Sequence, residues 1–150
     1  MVINEFLAHT DDPQPDFIEL YNHSNVSVDI SGFWLSDDRD ALKFEIPDGT
    51  TIGARSHVVF DQNALGFSLS AAGETIYLVN SNQTRVIDAV KFSGQENGIS
   101  SGRTPDGSPT IRRLSTITQG AANSRWRGSE VVINEVKYSP ISGLDDDEYV

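Results

Sequence analysis

His9, His23 and His57 are the side chains best suited to moving protons near neutral pH, and 22 carboxylates accompany them. Acyl transfer needs such a base beside an activated nucleophile. Cysteine is absent, which removes thiolate chemistry, disulfides and thiolate metal sites. No serine is read as sitting in a Gly-x-Ser-x-Gly nucleophile elbow. His9 falls in a polar loop and His23 at a turn, so both are read as solvated or bonded to backbone. Glycoside cleavage needs two acids facing one groove at a set separation. The acids here cluster in loops, and no pair stands out. No glycine-rich loop opens a helix that could cradle a phosphate. The chain is therefore not expected to be an enzyme.

Calcium is the more serious chemistry, because hard cations collect several oxygens. Two short acidic loops are candidates, one with Asp11, Asp12 and Asp16, the other with Asp37, Asp38 and Asp40. Asp145-Asp146-Asp147-Glu148 echoes the first. Against this, no Asp-x-Asp-x-Asp-Gly loop occurs, and acidic loops also serve solubility and block edge pairing. No other cofactor is expected. Glu5, Glu19 and Asp88 stand inside apolar runs, where a lone buried charge is costly. They are read as scaffold that pairs or caps backbone, with Arg103 the preferred partner for Glu5 or Glu19. Cation and aromatic groups for contact are Arg112, Arg113, Arg125, Trp126 and Arg127, together with Trp34. Arg beside Trp is read as an interdomain linker whose Trp packs on the preceding domain, the alternative being stacking on a base or a sugar.

These residues must be positioned by strands. Val26–Ile30 and Lys43–Ile46 alternate apolar and polar residues with period two. Phe17–Tyr21, His57–Phe60, Thr75–Val79 and Arg85–Phe92 are rich in β-branched and aromatic residues. Between them lie Asp12-Pro13, Ser31-Gly32, Pro47-Asp48-Gly49, Ala72-Gly73, Asn80-Ser81-Asn82, Asn97-Gly98 and Pro105-Asp106-Gly107, all turn formers. Only 63–69 allows a short helical turn. Seven or more short strands so spaced predict an all-β, two-sheet sandwich.

The 150 residues carry a net charge of −11, unevenly distributed. Residues 1–50 hold 11 acids and 2 bases, whereas residues 103–127 hold 5 bases and one acid. The overall sign argues against a general nucleic-acid binder. The basic stretch is read as folding back on acidic strands, the alternative being a separate binding stripe. No run is long and apolar enough for a membrane-spanning helix, and no signal peptide is expected at the start.

Val2-Ile3-Asn4-Glu5 returns as Val132-Ile133-Asn134-Glu135, and Asp16-Phe17-Ile18 returns as Glu148-Tyr149-Val150. This repeat predicts one complete domain over 1–124, a linker over 125–130, and the first strands of a second, truncated copy over 131–150. That segment is expected to be disordered or to exchange with an exposed sheet edge.

The motifs run in order: Val2–Glu5, Asp16–Asn22, Val28-Asp29-Ile30-Ser31-Gly32-Phe33-Trp34-Leu35, Phe44–Ile52, Gly73–Leu78, Ile87–Val90, Gly102–Gly107 and Gly120–Asn123. Over residues 2–124 this resembles the lamin tail domain family in its bacterial, tandem form. The resemblance implies an immunoglobulin-like fold and a non-catalytic module of a secreted or cell-surface bacterial protein. Such a module would serve as spacer, adhesion or protein-interaction unit. Its partners would be other protein domains, cell-surface components or adjacent tandem copies, with carbohydrate or nucleic-acid binding as the alternative. Phe33 occupies the family's usual Trp position and Trp34 the variable one. Strand alternation then sends Phe33 and Leu35 inward and Trp34 outward, as a candidate contact residue.

Overall fold

A computed structural model describes residues 1–128. Eleven short strands and one helical turn make an all-β fold of antiparallel sheets. Strands β1 (Val2–Leu7), β2 (Phe17–Tyr21), β7 (His57–Asp61), β10 (Ser101–Arg103) and β11 (Ile111–Arg113) form one sheet, ordered β11-β10-β1-β2-β7. A second sheet runs β5 (Phe44–Glu45), β4 (Trp34–Ser36), β8 (Thr75–Val79), β9 (Val86–Lys91). A small third sheet pairs β3 (Val28–Asp29) with β6 (Thr51–Ile52). Three sheets stand where two were expected. The β3–β6 pair joins the rest of the fold through loop hydrogen bonds rather than a ladder.

Alternation explains the layering. Ile18, Leu20 and Phe60 from the first sheet meet Leu35, Ile76, Leu78 and Val90 from the second in one buried cluster that also takes in Ile30, Ile46 and Ile52. Aliphatic and aromatic groups dominate it because apolar burial contributes about 25 cal/mol per Å². The helical turn α1 (Gln62–Leu65) is capped by Asp61, whose side chain accepts from Ala64 N, and stopped by Gly66 at φ 73°. It starts one residue before the 63–69 window and ends within it.

In β1 the register slips between Ile3 and Glu5, so Asn4 is an extra residue. This bulge places both Asn4 and Glu5 on the face away from the core. Glu19, opposite Glu5 in β2, shares that outer face. All three are nonetheless completely buried, so something must cover a polar sheet face.

Candidate functional site

The cover is the segment between β10 and the chain around Asn123, and it binds by hydrogen bonds. Glu5 accepts from Thr118 N (3.1 Å) and Thr118 Oγ1 (2.8 Å). Glu19 accepts from Gly120 N (2.7 Å) and Asn4 Nδ2 (3.2 Å). Asp106 accepts from Asn4 Nδ2 (3.1 Å) and Asn123 N (2.9 Å), and its other oxygen lies 3.1 Å from His57 Nε2. Asn123 Nδ2 donates to the carbonyls of Asn4 (3.0 Å) and Arg103 (2.8 Å). His57 stacks on Tyr21 with ring centroids 4.7 Å apart. Carboxylates thus satisfy the main chain of a loop that has few apolar residues of its own.

This network is electrostatically uneven. Burial pushes the Glu19 carboxyl up to about 7, opposed by the bonds from Gly120 and Asn4 and aided by the nearby charges of Glu5 and Asp106. Their places inside apolar runs mark Glu5 and Glu19 as scaffold, whereas no local pattern marks Asn4, His57, Asp106, Thr118 or Asn123. Asp106 and Asn123 read as ordinary turn and junction residues, and only a strand carrying Asn-Glu beside apolar neighbours hinted at a covered face.

Arg103 does not pair with Glu5 or Glu19. Glu5 faces Gly102 across β10, so Arg103, one residue on, projects to the other side of the sheet. There its guanidinium meets Asp88 (3.0 Å), the Ile3 carbonyl (2.8 Å) and the Ser108 carbonyl (2.6 Å). Asp88 also accepts from Ile3 N at 2.8 Å. The pair clamps the start of β1 to β9 and to the covering loop.

The acidic loops do not converge on a cation site. Asp16 is buried and accepts from Thr10 Oγ1 (3.1 Å) and Leu69 N (2.9 Å). Asp11 accepts from Asn97, and Asp12 is exposed. Asp37 pairs with Lys43 (2.6 Å), while Asp38 accepts from Asp40 N (2.8 Å). Among the described residues no group of three or more acids and histidines could hold a metal ion.

The nucleophile-elbow expectation also needs correction, since Gly98-Ile99-Ser100-Ser101-Gly102 does have Gly-x-Ser-x-Gly spacing. Ser100 is buried just before β10, and among the described residues no helix follows it. His9 Nδ1 contacts the Gln95 carbonyl at 2.9 Å.

The contact residues separate into two places. Leu35 is in the core and Phe33 packs against it, leaving Trp34 on the opposite face of β4. Trp34 is half-buried and its indole Nε1 is enclosed without a partner, so it is not the freely projecting ring expected. Trp126 is the exposed one, at 51%. Arg112 lies over its ring at 5.3 Å. Arg113 and Arg127 share Glu96, whereas Arg112 and Arg125 have no ion pair among the described residues.

Residues 125–127 run beside the end of β11, joined to it by one isolated bridge. Ser115 N donates to the Arg125 carbonyl (3.0 Å) and Arg127 N to the Arg113 carbonyl (2.7 Å), bracketing an antiparallel bridge between Leu114 and Trp126. In such a pair the central residues turn their own N–H and C=O away from each other. Leu114 N accordingly reaches back to the Ser100 carbonyl (2.9 Å). The Trp126 N–H and C=O therefore point off the sheet edge. The expected second copy over 131–150, with its strand exchange, lies outside the described residues.

Among the described residues no helix is long and apolar enough to cross a membrane. No match is found among curated proteins or among solved structures. The family model described as Lamin Tail Domain matches residues 1–94, the span from β1 to just past β9. Lamin tail domains are non-catalytic β domains, and this chain belongs to their family.

Proposed function

We propose that the chain is an immunoglobulin-like module of a secreted or cell-surface multidomain protein, acting as a spacer and protein-interaction unit through the sheet edge at Trp126. The sandwich reading is supported by the single core shared between the five-stranded and four-stranded sheets. The contact reading is carried by one observation: a large aromatic side chain stands half-exposed at the edge of a sheet, stacked by an arginine with no carboxylate of its own among the described residues. Exposed Trp and Arg are the side chains most enriched at binding hot spots. Tandem copies of such a module would multiply a weak contact by avidity.

Arg112 on Trp126 also suits a sugar or a nucleobase, so the test runs three ligand classes in parallel. The 150-residue chain and its Trp126→Ala variant are screened against a panel of extended peptides, a glycan array and short DNA at low salt. The proposal expects peptide binding that Trp126→Ala abolishes, with no glycan or DNA signal. A glycan or DNA signal that Trp126→Ala abolishes would replace protein contact with that ligand class.

A further inference from the structure

We infer that the open edge at Trp126 accepts an extended acidic segment of a partner protein as an additional β-strand. This rests on the reading of that edge as the contact surface, and it names the partner's chemistry. Two independent features specify it. The first is the backbone. The hydrogen bonds of Arg125 and Arg127 to β11 leave the Trp126 N–H and C=O facing outward, as a donor and acceptor pair for one opposing residue. An edge with no strand paired to it among the described residues templates strand addition unless something blocks it.

The second feature is charge, and alternation gives it a pattern. Trp126 projects to the same face as Leu114 and Arg112. Arg125 and Arg127, one residue to each side, project to the other face. A residue added opposite Trp126 would lie against the indole, and its two neighbours would lie beside the two arginines. The matching sequence is therefore acid, apolar, acid. Glu96 neutralises part of Arg113 and Arg127, but Arg112 and Arg125 keep their charge free of any carboxylate among the described residues. At about 0.15 M salt, charges more than about 8 Å away are largely screened, so the local arginines set the preference.

The test uses the 150-residue chain labelled for amide detection by NMR, with three capped seven-residue peptides. One carries Glu-Val-Glu at its centre, the second Lys-Val-Lys, and the third Glu-Val-Glu with the valine nitrogen methylated. The inference expects the first peptide to shift the Trp126 backbone amide and slow its exchange with solvent. The lysine peptide should bind at least about tenfold more weakly, as like charges repel. The methylated peptide should also lose about tenfold, since it keeps the charge and the side chain but cannot donate to the Trp126 carbonyl.

Equal binding of the Glu and Lys peptides would overturn the charge argument. Undiminished binding of the methylated peptide would reduce the edge to a charged patch and overturn strand addition. If no peptide binds but the Trp126 amide shifts as protein concentration rises, the edge pairs copies of this chain. The contact reading then survives and the acidic partner falls. A Trp126 amide unmoved by peptides and by concentration overturns both.

Discussion

Glu19 should make the protein less stable as pH rises through the neutral range. Its carboxyl is wholly buried in β2, and burial raises it from an ordinary 4.5 to about 7 in the folded protein. The folded state therefore holds a proton that the unfolded state has already released. The contribution is fully present below pH 4.5 and is lost as pH climbs through 7. Integrating between pH 5 and pH 8 gives a loss of about 2 to 3 kcal/mol from this group. The structural consequence is local. Charged Glu19 faces Glu5 and Asp106 under the covering loop, which the bond from Gly120 N helps to hold down. Urea unfolding at half-unit pH steps, for the wild type and Glu19→Gln, measures the effect. The glutamine variant cannot titrate there, so its profile should be flatter by about 2 to 3 kcal/mol over this range, whatever its absolute stability. Parallel profiles for the two chains would refute the assignment, as would a wild type that gains stability relative to the variant as pH rises.

Arg103→Ala should lower stability by about 3 kcal/mol, because it leaves Asp88 and two carbonyls without their cation. Arg112→Ala, at an exposed position, should stay within about 0.5 kcal/mol, and equal losses in the two variants would contradict the clamp. Gly102→Ala should cost about 2 kcal/mol by overpacking. Its new Cβ would stand 2.7 Å from the Asn4 carbonyl and 2.6 Å from Asn123 Nδ2. Gly94→Ala, with only the Ala71 carbonyl at 3.8 Å, is the matched control and should be near neutral in the same thermal melts.

Most of the strands were legible in the sequence because their physics is local. The β-branched and aromatic runs at Phe17–Tyr21 and Thr75–Val79 form strands with the limits expected of them. The inward turn of Leu35 and the outward turn of Trp34 follow from alternation alone. Strands β10 and β11 were not legible. Ser101-Gly102-Arg103 has no apolar alternation, since Gly102 lies where neighbouring atoms leave no room for a side chain. The covered face was hidden for a related reason. A polar residue on every second strand position normally marks solvent, and here Glu5 and Glu19 instead meet backbone donors more than one hundred residues away. The partner of Arg103 depended on the β1–β10 register, which no short-range pattern encodes. Trp126 was singled out by composition, but its position depends on pairing with Leu114, so a segment that reads as a linker runs beside the end of β11. The family model ends at residue 94, whereas the covering loop and the open edge both follow it.

Amide hydrogen exchange on the 150-residue chain tests the central claim most directly, because the covered face and the open edge require opposite behaviour within one short stretch. Slow exchange is expected at Leu114, Thr118, Gly120 and Asn123, whose N–H groups donate to Ser100, Glu5, Glu19 and Asp106. Fast exchange is expected at Trp126. Protection at Trp126 equal to that at Leu114, in the absence of any partner, would contradict the open edge. Fast exchange at Thr118 and Gly120 would contradict the loop held down on Glu5 and Glu19.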